Sequence, residues 1–149
     1  MKRSDLSDWS DASDGPNESE HMQTALNALL VGIGGFIGSV CRYWISGWVQ
    51  AFVSQSWRPV GTLAVNAIGC FLIGLFMGLA DFRQVLKPEA RLLLIVGVLG
   101  GFTTFSAFGY ETFALARDRE FAAALVNIGM QLLFGLLAVW AGYTVARLA

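Results

Sequence analysis

The chain has 149 residues, of which 55% are hydrophobic and 14% are charged, and its formal net charge is −1. A composition this apolar indicates an integral membrane protein. The chain has no stripe of basic residues, which excludes nucleic-acid binding. Its single histidine, His21, and its two cysteines, Cys41 and Cys70, have no metal-ligand spacing. We therefore exclude a histidine-based catalytic or metal site and interpret the cysteines as small core residues.

Residues 1–23 form an acidic segment that contains six of the eleven acidic residues of the chain. A segment with so few apolar side chains cannot bury enough surface to fold, so we predict a disordered N-terminal tail. Because the acids are concentrated there, the remaining residues, 24–149, are mildly basic. This second part is the predicted membrane domain.

Four hydrophobic segments follow the tail, at residues 24–52, 60–82, 92–113 and 121–146. Each is about as long as the ~20 residues that a helix needs to cross a bilayer. The sequence therefore predicts an all-α membrane protein with four transmembrane helices. Gly34 and Gly38, and likewise Gly74 and Gly78, are spaced for close helix packing. Lysine and arginine are nearly balanced between the two sides of the membrane, so the chain can insert in either orientation.

The third segment contains the sequence Gly-Gly-Phe-Thr-Thr-Phe-Ser-Ala-Phe at residues 100–108, within a stretch whose only charged residue is Glu111. Two adjacent glycines followed by two threonines lower helix propensity and favour a local break. Irregular backbone at membrane depth is tolerated only where protein buries it or a wet cavity lies beside it. We predict two half-helices that meet near the bilayer centre, an arrangement typical of ion sites.

Several polar or aromatic side chains in these segments are candidates for an ion pathway. Asn66 shares a helix face with Thr62 and Cys70, and its amide can serve either as an anion donor or as a bond between helices. Phe105 and Phe108 are three residues apart, a spacing typical of core or lipid-facing residues. With Ser106 between them, their positive ring edges are also suited to a small anion.

Four further residues are costly to bury without a partner. Arg42 can anchor the first span at the interface or concentrate anions at a vestibule. Glu111 is unfavourable on an anion route unless it is protonated, hydrogen-bonded or set off the path. Asn127 and Gln131 lie four residues apart on the fourth span, where helix–helix bonding and pathway lining are equally compatible with the pattern.

Three motifs occur in order along the chain: G-x-x-G-S-x-x-R-Y at residues 35–43, G-T-L-A-V-N-A-I-G at 61–69, and the 100–108 motif followed by Glu111. Together they resemble the CrcB/Fluc family of fluoride channels. The resemblance extends from about residue 29 to the C-terminus and leaves the tail outside. It implies passive efflux of fluoride across the bacterial inner membrane, through a dual-topology, antiparallel homodimer whose third helix is broken.

The same resemblance implies roles for individual residues. A structural sodium ion would be held by the backbone carbonyls of Gly100 and Thr103. The remaining positions would form the ion pathway: Phe105 and Phe108 as pore phenylalanines, Asn66 as an amide donor, Thr104 and Ser106 nearby, Arg42 at the vestibule, and Glu111 at the family's acidic position. The fourth span departs from the family pattern, because Asn127 and Gln131 stand where an aromatic hydroxyl and serines are expected.

Two other functions are compatible with four short spans. A small drug/proton antiporter requires a carboxylate in its first span, but residues 24–52 contain no acid and include Arg42 instead. A structural membrane subunit would use the same polar groups only to join helices. The sequence has no nucleophile–base pair, so we do not expect an enzyme.

Overall fold

The structure is a computed structural model that describes residues 17–53, 59–83 and 86–149. Throughout these ranges the regular elements are helices, as follows: α1 (Glu18–Phe52), α2 (Val60–Arg83), α3 (Pro88–Arg91), a π-helical segment (Leu92–Leu99), α4 (Gly100–Phe102), α5 (Phe105–Arg117) and α6 (Phe121–Leu148). Four stretches are long and apolar enough to span a membrane: α1, α2, Pro88–Arg117 and α6. The predicted four-span, all-α architecture is confirmed.

Helix α1 begins at Glu18, six residues before the predicted start of the first span. Its N-terminus is a capping box. The Asn17 side chain accepts a hydrogen bond from the Glu20 amide at 3.1 Å, and the Glu20 carboxylate accepts one from the Asn17 amide at 3.2 Å. These bonds satisfy amides that a helix start leaves unpaired. Residues 18–23 are therefore helical, and residues 1–16 of the predicted tail lie outside the described residues.

Helices pack closely where glycines allow backbones to touch. A Cβ atom on Gly38 would lie 2.0 Å from the carbonyl oxygen of Val98, and one on Gly74 would lie 2.2 Å from that of Val139. These distances are too short for any side chain, so α1 contacts the π-helical segment, and α2 contacts α6, through backbone atoms. The packing role predicted for the small residues is confirmed at both pairs of helices.

Large apolar side chains cover much of the outer surface of the described chain. Phe36, Trp44 and Leu136 are 72%, 67% and 71% exposed, whereas Val65 and Phe102 are buried in the centre. In water such a surface would be unfavourable. In a bilayer it faces hydrocarbon, which leaves helix–helix packing and polar contacts to hold the interior together.

The third span is interrupted between α4 and α5. Thr103 and Thr104 have extended backbone conformations, with φ/ψ of −78°/156° and −149°/110°. The interruption begins after Phe102 rather than at the glycine pair. Gly101 instead allows contact with α1, since a Cβ there would lie 2.4 Å from the carbonyl oxygen of Gly35. Helical bonding therefore continues through the glycines and stops at the two threonines.

Candidate functional site

A cavity of about 400 Å³ lies beside the interruption, between α2, the π-helical segment, α5 and α6. None of the described residues that line it is charged. The lining is formed by amide, hydroxyl, thiol, aromatic and aliphatic groups from Asn66, Gly69, Cys70, Ile73, Ile95, Leu99, Gly100, Thr103, Thr104, Phe105, Phe108, Gln131 and Leu132. We call this space the uncharged cavity. It brings together five of the predicted pathway residues with Gly100 and Thr103, and none of its described lining side chains carries a charge.

Asn66 bridges the interruption from α2. Its Oδ1 accepts a hydrogen bond from the Thr104 amide at 2.9 Å, and its Nδ2 donates to the Thr104 carbonyl at 3.2 Å. The side-chain oxygen thus replaces the carbonyl to which the Thr104 amide would donate in a continuous helix, and Nδ2 gives the Thr104 carbonyl a donor from α2. Nδ2 also donates to Oε1 of Gln131 at 3.1 Å. Asn66 therefore connects three elements: α2, the interruption and α6.

Gln131 carries an unpaired donor. Its Oε1 receives the bond from Asn66, whereas its Nε2 is buried and has no hydrogen-bond partner within the described residues. Most buried polar atoms in proteins are paired, so a buried amide nitrogen without a partner requires an explanation. A bound ligand that accepts hydrogen bonds provides one.

Thr104 caps the start of α5, and the first turn of that helix carries two aromatic rings. The Thr104 hydroxyl caps the helix by accepting a bond from the Ala107 amide at 3.2 Å, and it shares a second bond with the Ser106 hydroxyl at 3.2 Å. Phe105 and Phe108 meet edge to face, with centroids 5.5 Å apart and planes inclined at 66°. In this geometry the positive edge of one ring points towards the other, and a ring edge can also face an anion.

A second set of polar contacts lies further along α5. The Thr62 hydroxyl donates to the Glu111 carboxylate at 2.5 Å, while the other carboxylate oxygen is buried without a partner among the described residues. Asn127, buried in α6, donates to the Thr112 hydroxyl at 2.9 Å. Glu111 and Asn127 are absent from the lining of the uncharged cavity. In this structure Asn127 joins two helices, which is one of the two roles that the sequence left open.

Arg42 lies in a different space. It lines a cavity of about 730 Å³ with hydroxyl and amide side chains, including Ser39, Ser46 and Thr62, and Thr104 also belongs to that lining. We call this space the polar vestibule. Thr104 is thus shared by the vestibule and the uncharged cavity. A cation in the vestibule attracts anions towards the interruption without lying in the uncharged cavity itself.

The carbonyls of Gly100 and Thr103 lose their usual helical donors. In a continuous helix the Thr104 amide would donate to Gly100, but here it donates to Asn66. Likewise the Ala107 amide, the normal partner of Thr103, donates to the Thr104 hydroxyl. Carbonyl oxygens freed by unwound backbone are typical ligands of Na⁺ within membranes. The two carbonyls therefore fit the predicted sodium ligands.

The contacts at this site differ in how far the sequence predicts them. Thr62, Asn66 and Cys70 recur at a spacing of four, and all three contribute to the site: Thr62 through Glu111, and the other two through the cavity lining. By contrast, the bond from the Ser39 hydroxyl to the Gly101 carbonyl, at 3.4 Å, joins residues 62 positions apart. Nothing in the local pattern predicts that pairing.

The chain matches the family model described as CrcB-like protein, Camphor Resistance (CrcB), over residues 29–143. The chain belongs to the CrcB family. The match covers every predicted site residue and leaves out the acidic N-terminal segment.

Curated relatives of this CrcB protein carry a functional name. The fluoride-specific ion channel FluC 3 of Methanosarcina barkeri is 45% identical over 119 residues, which is 79% of this chain and 88% of that protein. FluC 1 of Methanosarcina acetivorans is 47% identical over 115 residues, 76% and 86% of the two chains. FluC of Geotalea daltonii is 45% identical over 126 residues, 85% and 98% of the two chains. The family predicted from the three motifs is confirmed.

Proposed function

We propose that this CrcB protein is a fluoride-selective channel that lets fluoride leave the cytoplasm passively and so lowers its toxic accumulation. The observation that carries the proposal is the uncharged cavity, where amide and hydroxyl groups converge with two phenylalanine rings beside the interrupted third span. The names of its relatives support fluoride as the ion. The protein is a channel rather than an enzyme.

Fluoride suits such a lining. It is small and strongly hydrated, so a site must offer several convergent donors to replace its water. The lining contains amide and hydroxyl groups, among them the Nε2 of Gln131, which has no partner within the described residues. None of the described lining residues has a cationic side chain on which the ion would be trapped. Conduction requires binding that is also weak enough to release. Chloride carries the same charge, so its rejection rests on size and donor geometry.

The functional unit we propose is an antiparallel homodimer in the cytoplasmic membrane. Phe105 is 81% exposed in the single chain, and no atom of the described residues packs within 4 Å of a Cβ built on Gly100. A second copy packed against this side would enclose the uncharged cavity, which one chain leaves partly open. The weak charge asymmetry of the loops favours dual insertion, because neither orientation is strongly preferred.

We also propose a structural sodium ion at the centre of that dimer. The carbonyls of Gly100 and Thr103 would hold it, because their helical donors are engaged elsewhere. Two carbonyls from each of two antiparallel chains would give four oxygen ligands. When bound, the ion would supply positive charge that keeps the two interruptions together.

The remaining predicted pathway residues have separate places in this proposal. Arg42 would concentrate anions in the polar vestibule. Ser106 and Thr104 would offer hydroxyls near the interruption. Glu111 is bonded to Thr62 and would lie off the ion's route through the uncharged cavity. Asn127 would hold α5 and α6 together through Thr112.

Fluoride efflux from liposomes tests the proposal. Vesicles that contain the purified protein and are loaded with potassium fluoride or potassium chloride should release fluoride far faster than chloride when valinomycin balances the charge. Equal release of both halides would contradict a selective channel. Release of cationic dyes driven by a proton gradient would instead favour the antiporter. No flux of any kind would favour a structural subunit.

A further inference from the structure

We infer that Gln131, rather than Asn66, presents the amide hydrogens that receive the dehydrated anion, and that Asn66 is the positioning residue that orients Gln131. This inference rests on the proposed channel function and assigns the donor within its uncharged cavity. It concerns a position where this chain departs from the serine expected of the family.

Both N–H groups of the Asn66 side chain already donate to protein acceptors. A side-chain amide has two N–H groups and one carbonyl oxygen. The oxygen accepts from the Thr104 amide, and the nitrogen donates both to the Thr104 carbonyl and to Oε1 of Gln131. To give a hydrogen to an ion, Asn66 would have to release one of these two acceptors. Release of the Gln131 oxygen would leave that part-buried group without its donor, and release of the Thr104 carbonyl would break one of the two bonds that hold the interruption to α2.

Gln131 has the opposite property. Its Oε1 accepts a hydrogen bond, whereas its buried Nε2 has no partner in the part of the chain that the structure describes, so two N–H groups remain available. The same side chain lines the uncharged cavity together with Phe105 and Phe108. An anion held at the ring edges therefore has an amide donor in the same lining, from a side chain whose other end is fixed.

The orientation of the Gln131 amide follows from the backbone. The N–H and C=O groups of Thr104 cannot exchange places, so they determine which end of the Asn66 amide is oxygen and which is nitrogen. That nitrogen then faces Gln131, where only an oxygen can accept its hydrogen. Reversing Gln131 would place two N–H groups against each other, which is repulsive. The backbone at the interruption thus sets the direction in which the α6 donor points.

Three substitutions separate this arrangement from a purely structural role. Gln131→Met removes the N–H groups and keeps most of the volume. Gln131→Glu keeps the oxygen that accepts from Asn66 but has no N–H. Leu132→Met is the matched control, since Leu132 lines the same cavity and offers no donor. Gel filtration and melting temperature in detergent identify any variant that no longer assembles.

Fluoride efflux and the fluoride/chloride permeability ratio are measured for each variant. We expect both Gln131 variants to lose about tenfold or more in fluoride rate, with a lowered ratio, and Leu132→Met to stay within about twofold. If Gln131→Glu conducts like the unmodified protein at high pH, where an ionised carboxylate has no hydrogen to donate, the oxygen alone suffices and the inference is wrong. Equal rates in Gln131→Met and Leu132→Met overturn it as well. If the unmodified protein conducts no fluoride, the proposed function fails instead.

The role of Asn66 is tested by a double substitution. If Asn66 acts through Gln131, Asn66→Ala slows the unmodified channel but adds little to Gln131→Met. Additive losses would show that Asn66 provides its own donor. A measurement on the unmodified protein avoids any folding defect: with ¹⁵N-labelled Gln and Asn side chains, NMR should show fluoride shifting the Gln131 amide hydrogens downfield. A shift confined to Asn66 would reverse the assignment.

Discussion

Substituting Gly38 with alanine should displace α1 from the segment that leads into the interruption. The alanine Cβ would lie 2.0 Å from the Val98 carbonyl oxygen and 2.8 Å from the Phe102 amide nitrogen, both of them backbone atoms. Ordinary contact begins near 3.4 Å, so one helix must move by about 1.4 Å. Overpacking of this kind costs about 1–3 kcal/mol, more than the ~1 kcal/mol that alanine gains over glycine in a helix.

Gly32→Ala is the matched control on the same helix, because none of the described residues places an atom within 4 Å of a Cβ at that position. It should leave stability unchanged or raise it slightly. The assay is thermal unfolding of each purified variant in the same detergent, followed by fluoride efflux after reconstitution. We expect a lower melting temperature and slower efflux for Gly38→Ala only. Matching melting temperatures and fluxes for both variants would refute the close backbone contact.

Three further predictions concern the ion path and the packing that surrounds it. Phe108→Ile should slow fluoride efflux by about tenfold or more, which is equivalent to about 1.4 kcal/mol in the barrier. Phe36→Ile, on the lipid-facing surface, should not slow it. A fluoride electrode measures both variants, and equal rates would exclude a role for the Phe108 ring. Replacing sodium with N-methylglucamine on both sides of the vesicles should abolish most efflux, and adding sodium back should restore it; undiminished flux would contradict the sodium site. Asn127→Ala should lower stability by about 0.5–1.5 kcal/mol because it removes the bond that the Thr112 hydroxyl accepts, while that hydroxyl still donates to the Phe108 carbonyl. Leu125→Ala, on the exposed side of α6, serves as its control in thermal unfolding.

The helices and their contact faces could be predicted because their causes are local. Four runs of apolar residues specify the spans, and glycines such as Gly38 and Gly74 mark where backbones touch. The start of α1 was predicted six residues late. Its signal, Asn17 followed three residues later by Glu20, is present in the sequence but lies within an otherwise acidic segment.

The details of the interruption could not be read from local pattern. The glycine pair predicts a break, yet contact between Gly101 and α1 keeps that turn helical. The extended backbone at Thr104 is instead paired with Asn66, which is 38 residues away. The sequence identified Asn66, Gln131 and Phe108 as candidates from residue type, spacing and the resemblance to the CrcB/Fluc family. Which of them has a free donor depends on hydrogen bonds between helices, and these exist only after the chain has folded.

Thr104 has a consequence for how the protein can move. It belongs to the wall between the polar vestibule and the uncharged cavity. Its amide, carbonyl and hydroxyl all take part in hydrogen bonds. Moving this residue out of its position would break several hydrogen bonds at once, so Thr104 is a rigid part of the wall between the two spaces. An ion that moved from the polar vestibule to the uncharged cavity would therefore have to pass beside Thr104 rather than displace it.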